Sequence, residues 1–403
     1  MKRYHSLFYY LALANFLFFL GNSLYILLPV YLKSLGATES YIGIMNNIDK
    51  IFTLISAVTI GSIMHGRDRI KLLRIGYLIL ACAYASYLLI TSLTWALLLT
   101  RIIHGIGFSV AMIVGTSIIF EIVPMKDAAE AIGIYGVTGA LSNALSPFFG
   151  EMLLSYGYPH QVIFALSVVM VLASLAITFI MPCIDCSDTA GNLPTSKGSL
   201  HLLAKPKFLL MALVSIIFGG GFGVIVTYLP NFIRTTTNFK FSYFFLIYIA
   251  VLIIIRFTFI KQVARISRSS LLMAVLTIGA LMNVFMNFLN SMAMLVMVSI
   301  MYGITHGILY PVLNTIQVSI VEPHDRGKAN ALFTASFNTG MMTFALSLGF
   351  LIDYLDSYLA AFDVCAVMFL AAIMLVRAAL RYGSLEAAEE PAPAIGMGSE
   401  QNL

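Results

Sequence analysis

The chain has 403 residues, of which 60% are hydrophobic and only 10% charged, and its mean hydropathy is +0.94. A soluble domain carries about a quarter charged residues, so this chain has too few to cover a soluble surface. Its net charge of +5 is scattered over short loops rather than gathered on one face, which argues against a nucleic-acid partner.

Twelve apolar segments follow one another at 7–31, 40–64, 71–92, 95–121, 127–154, 159–182, 208–233, 241–260, 270–290, 292–320, 327–352 and 357–380. Each is near the roughly 20 residues that cross a bilayer as a helix. None shows barrel-like alternation, and a continuous apolar run must satisfy its own backbone, so an all-α membrane protein is expected. Lys2 and Arg3 precede the first run without a small-residue cleavage site, which reads as an uncleaved span. The longest connection, 183–207, is rich in Asp, Ser, Gly, Pro and Lys, and it divides a six-span bundle at 1–182 from a second at 208–382. The tail at 383–403 is acidic and Pro/Ala-rich and is expected to be disordered. Cys183 and Cys186 have a C-x-x-C spacing, but no second pair completes a metal site, so neither metal nor cofactor is expected.

With the N-terminus inside, 17 of the 23 Lys and Arg residues fall on the cytoplasmic side, 3 outside and 3 within spans. This positive-inside bias places both termini in the cytoplasm of a bacterial inner-membrane type of cell membrane. The two bundles also repeat each other. Leu28–Ser34 (LPVYLKS) matches Leu229–Thr235 (LPNFIRT) at an offset of 201, His104-Gly105 matches His306-Gly307 at 202, and Pro124 matches Pro323 at 199. Six spans per copy return the chain in the same orientation, which predicts parallel halves with a site between them near mid-membrane.

Ionisable groups at that depth cost about 2.5–3.5 kcal/mol each on insertion scales. Those within spans are Asp49 and Lys50, Arg101 and His104, Arg256, and His306; Glu121 and Glu151 lie nearer span ends and are expected to reach the interface. Arg101 and His104 are three apart and project from one helix face. Arg101 stays protonated, so Asp49, His104 and His306 are the candidate proton sites. Asp49 and Lys50 form either a local ion pair or two groups with different partners. Asn22, Tyr25, Tyr228, Tyr310, Asn314 and Asn338 are candidate cavity residues beside Lys50 and Arg256, with interhelical hydrogen bonding as the alternative for the polar ones.

The stretch Arg101-Ile-Ile-His-Gly-Ile-Gly107 resembles the fourth-span motif R-x-x-q-G-x-g of the major facilitator superfamily, with His104 in place of Gln. The loop at Gly61–Lys71 is similar to that family's G-x-L-a-D-R-x-G-R-K: Gly61 and Arg69 fit, His65 stands where the acid belongs, and Asp68 takes a glycine position. The resemblance therefore marks Gly61, Arg67, Asp68 and Arg69 as a gating loop, with Asp68 as substitute acid. It implies a major-facilitator fold, alternating access and a proton-transfer role for Arg101. In the fifth span Pro147 and Gly150 match part of a motif typical of exporters in that family.

The reading is a secondary transporter acting as a monomer in the bilayer, proton-coupled, exporting a small organic solute by antiport. Uptake of a metabolite by symport is the alternative, and a non-transporting sensor or scaffold a more distant one. Three cationic groups in the spans against one confident acid favour an anionic or zwitterionic solute. No H-E-x-x-H, G-x-S-x-G or nucleotide-binding loop points to an enzyme.

Overall fold

The computed structural model describes residues 6–63, 68–123, 125–181, 200–255, 266–322 and 325–385. Among these, twelve helical segments occur in order: α1 (Ser6–Ser34), α2 (Glu39–Ile63), α3 (Arg69–Leu89), α4 (Trp95–Ile122), α5 (Met125–Ser155), α6 (His160–Ile180), α7 (Pro206–Thr236), α8 (Phe241–Ile254), α9 (Arg268–Phe285), α10 (Met292–Ser319), α11 (Arg326–Leu355) and α12 (Tyr358–Leu380). Nine are long and apolar enough to cross a membrane by length and composition. The other three are α2, which interrupts its apolar run with Asn46, Asn47, Asp49 and Lys50, α5, which carries many small and polar residues, and α8, described for only 14 residues.

Local sequence explains the breaks. Within α1 a 3-10 turn at Leu24–Leu27 precedes Pro29, whose missing N–H and fixed φ suit the start of a new helical run. Gly36 and Gly157 take φ of +85° and +83° after α1 and α5, a left-handed conformation that costs glycine least.

The outer faces of α6 and α12 expose Val169, Leu172, Phe179, Val367, Leu370 and Met374. A water-soluble bundle would hide such a belt; facing lipid, it has no reason to. The interior is filled instead by ring-rich contacts among the helices, with Tyr77, Tyr84, Tyr87 and Tyr228 fully buried.

Packing repeats in the two halves. In the first, α1 packs on α5 and α6, α4 on α2 and α3, and α3 on α6; in the second, α7 packs on α11 and α12, α10 on α8 and α9, and α9 on α12. The halves meet mainly through two matching pairs, α2 with α11 and α5 with α8. The α2–α11 contact runs from Glu39 to Asn47: Asn47 Nδ2 donates to the Met342 carbonyl at 2.9 Å, and Tyr228 Oη donates to the Ala345 carbonyl and, at 3.3 Å, to the Glu39 carbonyl. Farther along, Ile51, Leu54 and Ile55 of α2 and Ile134, Val137 and Leu141 of α5 are uncovered. The described hydrogen bonds between the halves thus lie toward the end where α1 turns into α2.

Several expectations fall outside the described residues: Lys2, Arg3, Arg67, Pro124, Cys183, Cys186, Arg256, Pro323, and the tail from 386 onward.

Candidate functional site

The polar centre of the first half is built by Gly105. A Cβ there would lie 2.9 Å from the Asp49 Cα, so only glycine lets α4 approach α2 this closely. One turn back on α4, Arg101 then reaches α2 directly. Its Nη2 donates to Asp49 Oδ1 at 2.6 Å, its Nε to the Met45 carbonyl at 2.7 Å, and its Nη1 to Tyr87 Oη of α3 at 3.2 Å. The Arg101 side chain is only 3% exposed, whereas that of Asp49 is 20% exposed. The guanidinium is therefore the buried member of the pair and the carboxylate the more exposed one.

Lys50 lies beside the pair. Its Nζ folds back to donate to the Asn46 carbonyl and sits 3.7 Å from Asp49 Oδ1, so Asp49 serves two cations and Lys50 is the weaker, more exposed one.

His104 closes the network on its far side. Its Nε2 lies 2.9 Å from Asn22 Oδ1 of α1, an acceptor that Tyr84 Oη also uses at 3.0 Å. Its Nδ1 is 3.4 Å from both Tyr87 Oη and Arg101 Nη1. Donation at Nε2 and acceptance at Nδ1 is the pattern of a neutral imidazole. Tyr25 and Tyr84 pack on the ring with centroids 5.0 and 5.1 Å away, and Phe164 stacks behind Tyr25. His104 and Tyr25 thus lie inside the first half rather than on its open wall. Asn15 also turns inward, donating to Thr138 Oγ1 at 2.7 Å.

His306 occupies the matching place in α10 but in different company. Tyr248 Oη lies 2.5 Å from its Nδ1, and the rings of Phe222 and Phe218 sit 4.7 and 5.7 Å away. Tyr310 leans edge-on against Phe333 and Phe337. His306, Tyr310, Asn314 and Asn338 are all partly exposed, and Asn314 Oδ1 has no hydrogen-bond partner. The second half therefore gathers aromatic rings and amide groups around His306 where the first gathers charged ones around His104. Tyr228 is no part of it: fully buried, it ties α7 to α11 and to the start of α2.

The loop expected to gate differs too. Gly61 lies in the last turn of α2, and Arg69 pairs at 2.5 Å with Glu121, which holds the end of α4 against the start of α3. Asp68 is the N-cap of α3: its Oδ1 accepts from the backbone N–H of Ile70 and Lys71 at 2.9 and 3.3 Å. Its carboxylate is spent within its own half in this state.

Sequence reasoning chose Asp49, Arg101, His104 and Asn22, and the structure brings these four together. It missed Tyr84 and Tyr87, because α3 carries no charge beyond its first turns to mark them; the tyrosines one turn apart in Tyr84-Ala-Ser-Tyr87 were the available hint.

The sequence model of the Major Facilitator Superfamily matches residues 11–265 and 257–397. No curated protein matches the chain in sequence. In fold it is similar to the nucleoside transporter NupG, at TM-score 0.82 and 14% identity over 94% of this chain and 100% of that one. It is also similar to a bacterial homologue of the human lysosomal transporter Spinster in an inward-facing, unoccupied conformation (TM-score 0.70, 16% identity, 95% and 96% covered). A third such structure is the E. coli fucose:proton symporter FucP (TM-score 0.58, 16% identity, 92% and 98% covered).

Proposed function

The chain belongs to the Major Facilitator Superfamily, and from that premise we propose that it is a secondary active transporter that moves a small organic solute by alternating access, coupled to protons. The observation that carries the reading is the Asp49–Arg101 pair: a buried, permanent cation held by a carboxylate that is itself partly exposed. The positive-inside bias puts both termini in the cytoplasm, so the open end is cytoplasmic and the state inward-facing. The similar Spinster homologue was solved in an inward-facing conformation, which supports this reading.

Asp49 is the proposed proton site. Deprotonated, it neutralises Arg101 and Lys50; protonated, it leaves them without a counter-charge, and their attraction passes to an acidic group on the solute or to the other half. His104 is assigned to positioning, because its bonds are already filled by a neutral ring. An anionic or zwitterionic solute fits this first wall, and the aromatic wall around His306 suits its apolar or planar part. Arg256 and Asn338 complete the proposed cavity lining, and Gly61, Arg67, Asp68 and Arg69 the proposed cytoplasmic gate.

Pro147 and Gly150 support export by antiport. Uptake by symport is the second reading, favoured by the likeness to a fucose:proton symporter. Proteoliposomes with an imposed pH gradient test both. Solute flux that follows the proton gradient is symport, flux against it is antiport, and pH-independent flux unaffected by Arg101→Ala overturns the coupling.

A further inference from the structure

Two carboxylates at the closed end occupy equivalent positions in the two halves and make the same contact across the interface between them. Glu151, near the end of α5, accepts hydrogen bonds from the backbone N–H of Phe241 at 3.1 Å and Ser242 at 2.7 Å, the first two residues of α8. Asp353, near the end of α11, accepts from the backbone N–H of Glu39 at 2.7 Å and Ser40 at 2.8 Å, the first two residues of α2. All three pairs (151 and 353, 39 and 241, 40 and 242) are separated by 202 positions, the offset of the internal repeat. In each case a carboxylate from one half caps a helix of the other.

The contact is strong for three reasons that act together. The first N–H groups of a helix have no partner within it. The positive end of the helix dipole favours an anion there. Hydrogen bonds to a carboxylate are about twice as strong as neutral ones. Lys240, which precedes α8, offers no side-chain cap of its own, and Thr38 before α2 caps the Tyr41 N–H at 3.3 Å and bonds Ser40 Oγ at 3.0 Å, leaving the Glu39 and Ser40 N–H groups to Asp353. Glu151 is 5% exposed, so its charge is compensated chiefly by this contact. Around the second contact, Glu39 itself is held by Lys33 at 2.8 Å and by Tyr358 Oη.

We infer that Glu151 and Asp353 are paired latches that set how firmly the end opposite the cytoplasm stays shut. When one half rocks against the other, α5 leaves α8 and α11 leaves α2 in the same movement. Both carboxylates and four N–H groups then lose their partners at once. The latches are intrinsic to the two halves and require neither solute nor a proton gradient. Only the label "outer" for this end rests on the orientation proposed above.

The test reads opening directly in the purified full chain. Spin labels at Leu89→Cys and Phe288→Cys, at matching exposed positions near this end of α3 and α9, report the separation of the halves by pulsed EPR in a background with the native cysteines replaced by serine. The wild type gives mainly the short distance. Glu151→Gln and Asp353→Asn each raise the ratio of open to closed molecules about tenfold, as expected for losing one charge-assisted cap, and together raise it further. Amide exchange at Phe241 and Ser242 rises in the first variant, and at Glu39 and Ser40 in the second, while the rest of the molecule stays protected, which separates unlatching from misfolding. An unchanged distance distribution in the double variant, with those amides still protected, overturns the inference. Because no solute or gradient is present, this outcome is independent of whether the transport reading holds.

Discussion

Replacing Asp49 by Asn removes the charge that holds Arg101 while keeping the size of the side chain. Arg101 retains the Met45 carbonyl and Tyr87 Oη, but a guanidinium only 3% exposed is left without an anion, with Lys50 nearby as a second cation. Breaking a buried pair by deleting one member costs about 3–5 kcal/mol; the partial exposure of Asp49 puts this case at the lower end, about 3 kcal/mol. Arg101→Ala is a different loss. The carboxylate it leaves behind is one that water reaches and that Lys50 still neighbours, so the orphaned charge costs less. In the double variant no buried cation remains, and Asp49→Asn then adds little. The expected coupling energy between the two sites is about 2 kcal/mol. Unfolding of the four proteins in mixed micelles of SDS and a mild detergent, followed by helical circular dichroism, measures it. Costs that simply add would refute the claim that the two side chains act as a buried pair.

Three further outcomes follow from the same geometry. Gly105→Ala drives a Cβ into the Asp49 backbone and destabilises the protein by about 1–3 kcal/mol, more than Gly107→Ala, whose Cβ meets Leu80 Cγ at 2.8 Å and the Leu80 backbone N only at 3.0 Å; the same unfolding measurement ranks them. His104→Gln keeps transport and its pH profile, because an amide can donate to Asn22 and accept from Tyr87, whereas His104→Leu loses activity; a pH profile displaced by His104→Gln would assign the histidine a proton-carrying role. His306→Ala raises the KM for solute with little effect on unfolding, since its neighbours Phe222, Phe218 and Tyr310 form the wall without it; an unchanged KM would remove that wall from the binding site.

How much of this was legible in the sequence depends on the range of the interaction. Helix positions were legible, because length and apolarity decide them locally: most expected span ends agree with the structure to within about three residues. Arg101 and Asp49 stood out as charges in apolar runs, but nothing local says that they pair across 52 positions. That follows from α4 lying on α2 at Gly105, a fact of packing. Glu151 was read as an interfacial side chain because a carboxylate near a span end has no distinctive pattern; its partners are backbone N–H groups, which leave no trace in residue type. The spacing of 202 between Glu151 and Asp353 was nevertheless present, and extending the repeat beyond its three anchors would have found it. Tyr228 misled for the opposite reason, since an amphipathic ring in a span suits a cavity wall and a helix interface equally, and only the approach of α11 decides.

The most direct test of the account is gradient-driven flux in proteoliposomes, wild type against Asp49→Asn, with a solute panel spanning anionic, zwitterionic and neutral compounds. An imposed pH gradient should accelerate wild-type transport of an anionic or zwitterionic solute. Asp49→Asn should still exchange labelled for unlabelled solute but no longer respond to the gradient. Wild-type flux indifferent to the gradient, or a full response surviving in Asp49→Asn, would contradict it.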